Sequence, residues 1–209
     1  MKKELVILTV FVAVLAVVFM GFKLYAPKGK QGIQNLPQSP KDTTYLIEGR
    51  AVTLANGISE IEIAPGSASK IITRYFGNEV YTDLNDDSRE DAVFLLTQDP
   101  GGSGTFFYVV AALNTEHGFI GSQGFLLGDR IAPQTTELSQ NPSHEHVIVV
   151  NYAVRASGEP MTARPSIGTS IWLKFNLQTM QFGEVAQNFE GEADPSRMTL
   201  TLKTWSWIL

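Results

Sequence analysis

The fold class is decided by residues 91–113, which read DAVFLLTQDPGGSGTFFYVVAAL. Two apolar runs rich in Val, Phe, Leu and Tyr, a composition that favours strands, stand on either side of a Gly- and Pro-containing turn at 99–104. Similar runs of about 5 to 9 residues recur along the chain with turn signals between them. The sequence therefore predicts a mainly β domain, an antiparallel meander that forms either a sandwich or a curled sheet.

The segments upstream of this stretch alternate apolar and polar side chains, as half-buried strands do. Residues 44–54 (TYLIEGRAVTL) and 57–65 (GISEIEIAP) both show the pattern, and Asn56-Gly57, a strong signal for a two-residue hairpin turn, stands between them. We therefore predict that these two segments pair as the first hairpin. Further strands are predicted at 69–82, 118–128, 146–154 and 170–177.

Helical patterns are weak after residue 26. The best candidate lies at 64–75, where Ile71, Ile72 and Tyr75 could form a short apolar stripe. Because isoleucine is β-branched, this segment also favours a strand.

The N-terminus carries the longest apolar run of the chain. Residues 5–22 read LVILTVFVAVLAVVFMGF, 18 residues without a charge and with lysines on both sides. This length nearly spans a bilayer core of about 30 Å. The alternative is a cleaved signal peptide, whose apolar region is shorter, about 7 to 15 residues, and ends in a small-x-small pattern that this sequence lacks. We predict a single-pass anchor in the cell membrane over residues 1–26, inserted through 5–22.

The remaining organisation follows from the anchor. A short basic tail before the span and a long acidic body after it favour export of the body. Residues 27–43, rich in Pro, Gly and Gln without an apolar period, predict a flexible linker. Residues 44–188 form the predicted β-rich extracytoplasmic domain, and 189–209 form a C-terminal tail that includes a further strand.

Charge and cysteine usage exclude several functions. The net charge of −5 divides into +4 for residues 1–30 and −9 for the rest, which argues against a nucleic-acid partner. Cysteine is absent, so disulfides, thiol nucleophiles, thiolate metal sites and lipid attachment at an N-terminal cysteine are excluded.

An acidic stretch, YTDLNDDSREDAVFLLT at 81–97, leads into the first of the two apolar runs. It fits D-x-N-x-D-S-x-x-D, the spacing of a calcium loop, with the side chains of Asp83, Asn85 and Asp87 at positions 1, 3 and 5. The carbonyl of Arg89 and the side chain of Asp91 would complete the set at positions 7 and 9. These five residues are the predicted Ca²⁺ ligands.

Two residues limit this site. Position 12 is Phe94, which cannot bind a cation, so an EF-hand is excluded. Position 6, normally glycine, is Ser88, which costs about 1 kcal/mol in a left-handed conformation and predicts a weak site, with a Kd of the order of 0.1 to 1 mM. The alternative is a metal-free hairpin loop whose Asp and Asn side chains cap its own amides.

Other motifs are less specific. His144 and His146 lie next to Asn-Pro, which favours an exposed loop over a zinc site. Ser67 and Lys70 match S-x-x-K, but the S-D-N and K-T-G motifs of that enzyme class do not occur. The aromatic residues of the predicted strands, Trp172 among them, are expected to pack in the core and across strands.

Two functional classes therefore remain. We expect a non-enzymatic binding or structural module of the envelope, acting on an unidentified envelope protein or ligand, because the sequence offers no nucleophile–base pair of any specificity. The alternative is an envelope hydrolase that uses Ser67 and Lys70 or the aspartate cluster.

Several phrases also resemble known families. GSASKIITRYFGNEVYTDLNDDSREDAVFLLTQDPGGSGTFFYVVAAL, VIVVNYAVRASGEPMTARPS and MTLTLKTWSW resemble bacterial membrane-anchored proteins in which a β-rich region precedes a META domain. The resemblance covers residues 44–209 and implies an envelope location, with 189–209 resembling the start of the META domain and the rest of that domain missing. The single acidic loop is similar to those of FG-GAP and integrin-type repeats, although one copy does not imply a propeller.

Overall fold

The computed structural model describes residues 36–141 and 144–185. Within that part a turn of 3-10 helix spans Pro40–Asp42, and no α-helix occurs. The strands of the described part are β1 (Thr44–Ile47), β2 (Arg50–Thr53), β3 (Ile58–Glu62), β4 (Lys70–Thr82), β5 (Asp91–Asp99), β6 (Phe106–Thr115), β7 (Gly118–Gly121), β8 (Phe125–Asp129), β9 (Ala132–Leu138), β10 (Val147–Val154), β11 (Ile167–Asn176) and β12 (Gln181–Glu184).

The predicted anchor and tail lie outside the described residues, as does the predicted linker up to residue 35. Among the residues that are described, no helix is long and apolar enough to cross a membrane. The last part of the linker segment, from Leu36 onward, is held to the domain, because the Leu36 amide donates to the His117 carbonyl and the Tyr45 hydroxyl donates to that of Pro40.

The described strands form antiparallel sheets, which confirms the prediction of a mainly β fold. The central sheet has the order β3-β4-β5-β6-β7, and β8 pairs with the same edge of β6 as β7 does. A second sheet has the order β12-β11-β10-β9, and β1 pairs with β2 in a separate hairpin. Both larger sheets connect consecutive strands in the manner of a meander.

The central strands β5 and β6 are buried on both faces. Alternate residues of these strands pack against the four-stranded sheet in one cluster, the sandwich cluster, whose central members are Val93, Leu95, Val109, Ile148, Val150 and Leu173. The other residues pack against β1 and β2 in a second cluster, the hairpin cluster, whose central members are Tyr45, Ile47, Phe94, Leu96, Tyr108 and Val110. The two runs that decide the fold therefore form the middle of three layers. Each of their fully buried aliphatic or aromatic side chains stabilises the fold by about 1.5–3 kcal/mol.

The predicted pairing of 44–54 with 57–65 is wrong. Residues 44–54 fold back on themselves, with Ile47 opposite Arg50, around a turn at Glu48 and Gly49. Both turn residues have positive φ, 50° and 75°, as a type I′ hairpin requires. The segment is therefore a complete hairpin, β1–β2, rather than a single strand.

Asn56 and Gly57 do form a tight turn, with φ of 51° and 82°. The Asn56 amide donates to the carboxylate of Asp42 and the Gly57 amide to the carbonyl of Lys41, so the linker segment binds this turn. The segments on either side of the turn form one β-bridge, between Ala55 and Ile58, and then diverge. β2 pairs with β1, whereas β3 pairs with β4. The tight turn at Asn56-Gly57 was predicted correctly, but it connects strands of two different sheets.

The other predicted strands are observed with two changes. The weak helical candidate at 64–75 contributes to the long strand β4, and the run at 118–128 is divided into β7 and β8. At the division Ser122 accepts the Ala111 amide through its hydroxyl, and a Cβ on Gly121 would overlap the carbonyl oxygen of Thr44. The edge strands β9 and β12 were not predicted, since β9 contains Pro133 and several polar residues and β12 has only 4 residues.

Candidate functional site

The acidic stretch forms the connection between β4 and β5 at one end of the central sheet. Its residues 83–90 form bends without regular structure, as a strand–loop–strand corner requires. Leu84 is the only residue in this loop whose side chain is buried, and it belongs to the sandwich cluster. The loop is thus fastened to the core at one point while its polar side chains remain near the surface.

Asp83 organises the loop by accepting backbone amides. Its Oδ1 accepts the amides of Asn85 and Asp87, both at 3.2 Å, and its Oδ2 accepts the amide of Ser88 at 2.7 Å. Desolvation acts to raise the pKa of Asp83, but the amide hydrogen bonds, led by that of Ser88, outweigh it and lower the pKa below its usual value. The first position of the predicted calcium loop is therefore a fixed, ionised carboxylate.

The backbone of the loop has the conformation that the calcium pattern requires at position 6. Ser88 has a φ of 67°, in the left-handed region where glycine is usual. Asp86 is also left-handed, with a φ of 60°. The bond from the Ser88 amide to Asp83 offsets part of the strain at position 6.

Asp87 forms a salt bridge with Arg89. Its Oδ1 accepts the Arg89 amide at 2.9 Å, and its Oδ2 lies 3.2 Å from the Arg89 Nη1 and 3.3 Å from the Asn85 Nδ2. The guanidinium of Arg89 also reaches Glu116, with Nη2 at 3.2 Å from Oε1. The positively charged guanidinium of Arg89 thus lies against the carboxylates of Asp87 and Glu116.

Asp91 has a different role from the other predicted ligands. Its side chain is completely buried, and its two oxygens accept the amides of Leu84 at 2.8 Å and Asn114 at 2.7 Å. Burial raises the pKa of Asp91, and repulsion by Asp87 and Asp83 adds to this, although the two amide bonds oppose it. Asp91 therefore joins the loop to the end of β6.

His146 was not predicted to take part in this region, yet it touches the loop. Its Nδ1 lies 2.7 Å from the carbonyl oxygen of Asp83, to which it donates, and its Nε2 lies 3.4 Å from Oδ1 of Asp86. His144 is placed differently, with its Nδ1 3.5 Å from the Ser139 hydroxyl. The sequence shows two histidines just before β10, but no local pattern indicates that this segment contacts the β4–β5 loop.

The predicted ligands are therefore only partly brought together. Asp83, Asn85 and Asp87 are linked by direct hydrogen bonds, the Arg89 backbone follows them, and Asp91 is turned into the fold. Over the described residues, no group of three acidic or histidine side chains is placed to hold a metal ion. The donor set still fits a hard cation chemically, because it consists of carboxylate and amide oxygens and a carbonyl.

Ser67 and Lys70 are not arranged as a nucleophile and base. The Lys70 Nζ lies 2.7 Å from Oε2 of Glu60 on the neighbouring strand, and this hydrogen bond raises the pKa of Lys70. The Ser67 hydroxyl accepts the amide of Ser69 at 3.1 Å. Lys70 is thus paired with Glu60 and the Ser67 hydroxyl bonds within its own turn, so these contacts do not join the two side chains.

Comparison with known proteins identifies no relative: no protein-family model, no curated protein and no solved structure matches this chain.

Proposed function

We propose that this chain is a non-enzymatic module of the bacterial envelope, held in the cell membrane by residues 5–22, with the β domain outside the cytoplasm. The 18 uncharged residues and their flanking lysines support the anchor, and the acidic body supports export. The resemblance to META-associated proteins supports the same location. The ion pair of Lys70 with Glu60 favours a non-enzymatic role over the hydrolase alternative.

We further propose that the loop at 83–91 binds Ca²⁺ weakly. The observation that carries this proposal is the set of three backbone amides on Asp83 together with the left-handed Ser88. These features give positions 1 and 6 of the loop the arrangement that the calcium pattern needs before any ion is bound. Extracellular calcium loops have dissociation constants of about 0.1 to 1 mM, which suits an exported site.

Within this proposal Arg89 competes with the ion. Its guanidinium lies on Asp87, whereas its own contribution to the site is the backbone carbonyl. Asp83, Asn85 and Asp87 would supply side-chain oxygens, with the guanidinium displaced. The carboxylate of Asp91 stays on its two amides and supports the loop.

The test is the melting temperature of the full chain in detergent, with and without 5 mM CaCl₂. For a Kd of about 0.5 mM this concentration stabilises the folded state by about 1.4 kcal/mol, or roughly 3–6 °C for a domain of this size. Asp87→Asn should abolish the shift, and Glu90→Gln, which changes an exposed acidic neighbour outside the pattern, should keep it. MgCl₂ at the same concentration controls for ionic strength.

Arg89→Ala gives a sharper result, because it removes the competing guanidinium and keeps the carbonyl. The variant should melt below the unsubstituted protein without calcium and show a larger calcium shift. If calcium does not raise the melting temperature of the unsubstituted chain, or if the rise persists in Asp87→Asn, the loop is structural only.

A further inference from the structure

Strand β3 forms an edge of the central sheet, and no strand of the described part pairs with its outer side. On the inner side the amide of Ile63 donates to the Ser69 carbonyl, just before β4. Backbone groups point alternately to the two sides of an antiparallel strand, so those of Ile61 also face β4, whereas those of Glu60 and Glu62 face outward. The amides and carbonyls of these two glutamates can therefore bond an added strand.

The side chains along this edge are largely apolar and half exposed. Ile58, Ile61 and Ile63 have exposed fractions of 46, 42 and 51%. Ile61 pairs with Ile71, which alternates along β4 with Tyr75 of the hairpin side, so Ile61 and Ile63 lie on that side of the sheet. Edge strands are commonly protected by proline, lysine or a bulge, and β3 has none of these.

Two glutamates determine which kind of strand fits this edge. Glu60 and Glu62 alternate with Ile61 and lie on the sandwich side. Each uses its Oε2, Glu60 for the Nζ of Lys70 and Glu62 for the amide of Gly66, and their Oε1 atoms accept no hydrogen bond from the described residues. A second copy of β3 would place like charges side by side, which destabilises a strand pair. The edge instead fits a strand with apolar side chains on the hairpin side and hydroxyl or cationic side chains on the sandwich side.

Residues 198–203, MTLTLK, have this pattern in the sequence. They lie outside the described residues, so their sequence alone carries the comparison. Apolar residues alternate with threonine and lysine, which is the period of a strand with two different faces. In one antiparallel register Leu202 stands opposite Ile61, Leu200 opposite Ile63, Lys203 opposite Glu60 and Thr201 opposite Glu62. A shift by one residue would place the polar side chains beside the isoleucines.

We propose that residues 198–203 form an added antiparallel strand on the outer edge of β3. The connection is long enough, because the 12 residues between Val185 and Met198 can span about 40 Å. The path crosses the four-stranded sheet from β12 to β9, passes to β4, on which β9 packs, and ends one strand further at β3. Strand spacings of about 4.8 Å and a sheet separation of about 10 Å make this roughly 30 Å. The inference goes beyond the proposed function, since this edge takes part neither in the anchor nor in the calcium loop.

The experiment is disulfide formation between two introduced cysteines, for which the chain provides no background because it has no cysteine of its own. Ile61→Cys and Leu202→Cys would face each other as a pair without mutual backbone hydrogen bonds. The Cα atoms of such a pair lie about 4.5 Å apart, within the range of about 4.4–6.8 Å that a disulfide needs. The full chain in detergent, at low micromolar concentration, is oxidised with copper phenanthroline. Non-reducing electrophoresis and mass spectrometry of the thiol-blocked protein measure the intramolecular disulfide over time.

Ile61→Cys with Thr201→Cys is the matched control. It keeps the first cysteine and moves the second by one residue, to the opposite side of the added strand. The pair at 61 and 202 should form its disulfide at least tenfold faster than this control. In a denaturing concentration of guanidinium chloride the two variants should react at equal rates, because the strand pairing is then lost.

A second pair keeps the test decisive if Ile61→Cys prevents folding, which the melting temperature reports. Ile63→Cys with Leu200→Cys has the same register, and Ile63→Cys with Thr199→Cys is its control. Three results would overturn the inference: no disulfide forms, each pair reacts no faster than its control, or the disulfides link two chains, which would mean that a second molecule supplies the strand. These positions lie outside the anchor and the calcium loop, so a protein that responds to calcium but shows no preferred disulfide refutes this inference alone.

Discussion

Replacing Asp91 with alanine should destabilise the whole domain, because this buried carboxylate holds two backbone amides. The Leu84 and Asn114 amides, at 2.8 and 2.7 Å from its oxygens, would lose their acceptors. An unsatisfied buried amide costs about 1–3 kcal/mol, and removing a desolvated charge recovers part of that total. We expect a net loss of about 3 kcal/mol, which corresponds to roughly 6–12 °C in melting temperature.

The pH dependence of this loss has a definite sign. Burial raises the pKa of Asp91 in the folded state, so the folded protein holds this proton more tightly than the unfolded chain does. The stability contributed by Asp91 is thus complete below the ordinary carboxyl pKa, near pH 4, and decreases as the pH rises through the raised value. Asp91→Ala should therefore cost more at pH 4 than at pH 7.

The assay is thermal unfolding of the full chain, followed by circular dichroism at both pH values. Glu90→Ala is the control, since it removes the exposed carboxylate next to Asp91 and should change the melting temperature by less than about 2 °C. A variant of Asp91 that melts like this control would refute the anchoring role. A loss that grows between pH 4 and pH 7 would refute burial as the dominant influence on the pKa.

Two further predictions concern single residues of the fold. Asp83→Asn should show the opposite pH dependence, because the pKa of Asp83 is lowered in the folded protein. The stabilising effect of Asp83 is present above about pH 4 and is lost as the pH falls. The difference in melting temperature between the unsubstituted protein and Asp83→Asn should therefore shrink in acid. Gly121→Ala should lower the melting temperature by several degrees, since its Cβ would overlap the Thr44 carbonyl, whereas Gly183→Ala has open space and should not; equal melting temperatures for the two variants would contradict the close approach of β1 to β7.

The central strands could be predicted from the sequence because their signal is strong and local. Residues 92–96 and 107–112 are continuous apolar runs, and both prove to be buried on the two faces of the central sheet. What the runs could not show is which partner covers each face. Alternation is lost when both faces are buried, so the division of Leu95 and Leu96 between two clusters becomes visible only in the folded chain.

The first hairpin shows why a correct turn can still lead to a wrong pairing. Asn56-Gly57 encodes local backbone geometry, which is observed, but the strands it joins are chosen by long-range contacts. Val52 and Leu54 are buried beside the central sheet in the hairpin cluster, and that burial keeps β2 with β1. The turn at Glu48 was missed because a glutamate with positive φ is uncommon.

The candidate site was likewise predictable in its pattern and not in its contacts. The spacing of acidic residues identified the loop and the need for a left-handed residue at Ser88, which the structure has. The approach of His146 to Asp83 depends on the packing of two sheets, and the sequence distance of 63 residues hides it. The contacts of Asp91 are also non-local, because its carboxylate accepts the amide of Asn114 on β6, 23 residues further along the chain.

The position of Asp91 decides how far any effect of calcium can extend. It is the last residue of the calcium pattern and the first of β5, and the five residues after it are all buried. Its carboxylate is already satisfied by Leu84 and Asn114, so the central sheet is held without an ion. A site with a Kd of about 0.5 mM adds only about 0.6–1.4 kcal/mol at roughly 1–5 mM calcium, against a total of about 5–15 kcal/mol for a domain. Calcium should therefore order the loop around Asp83 and Asp87, and removing it should leave the three layers intact.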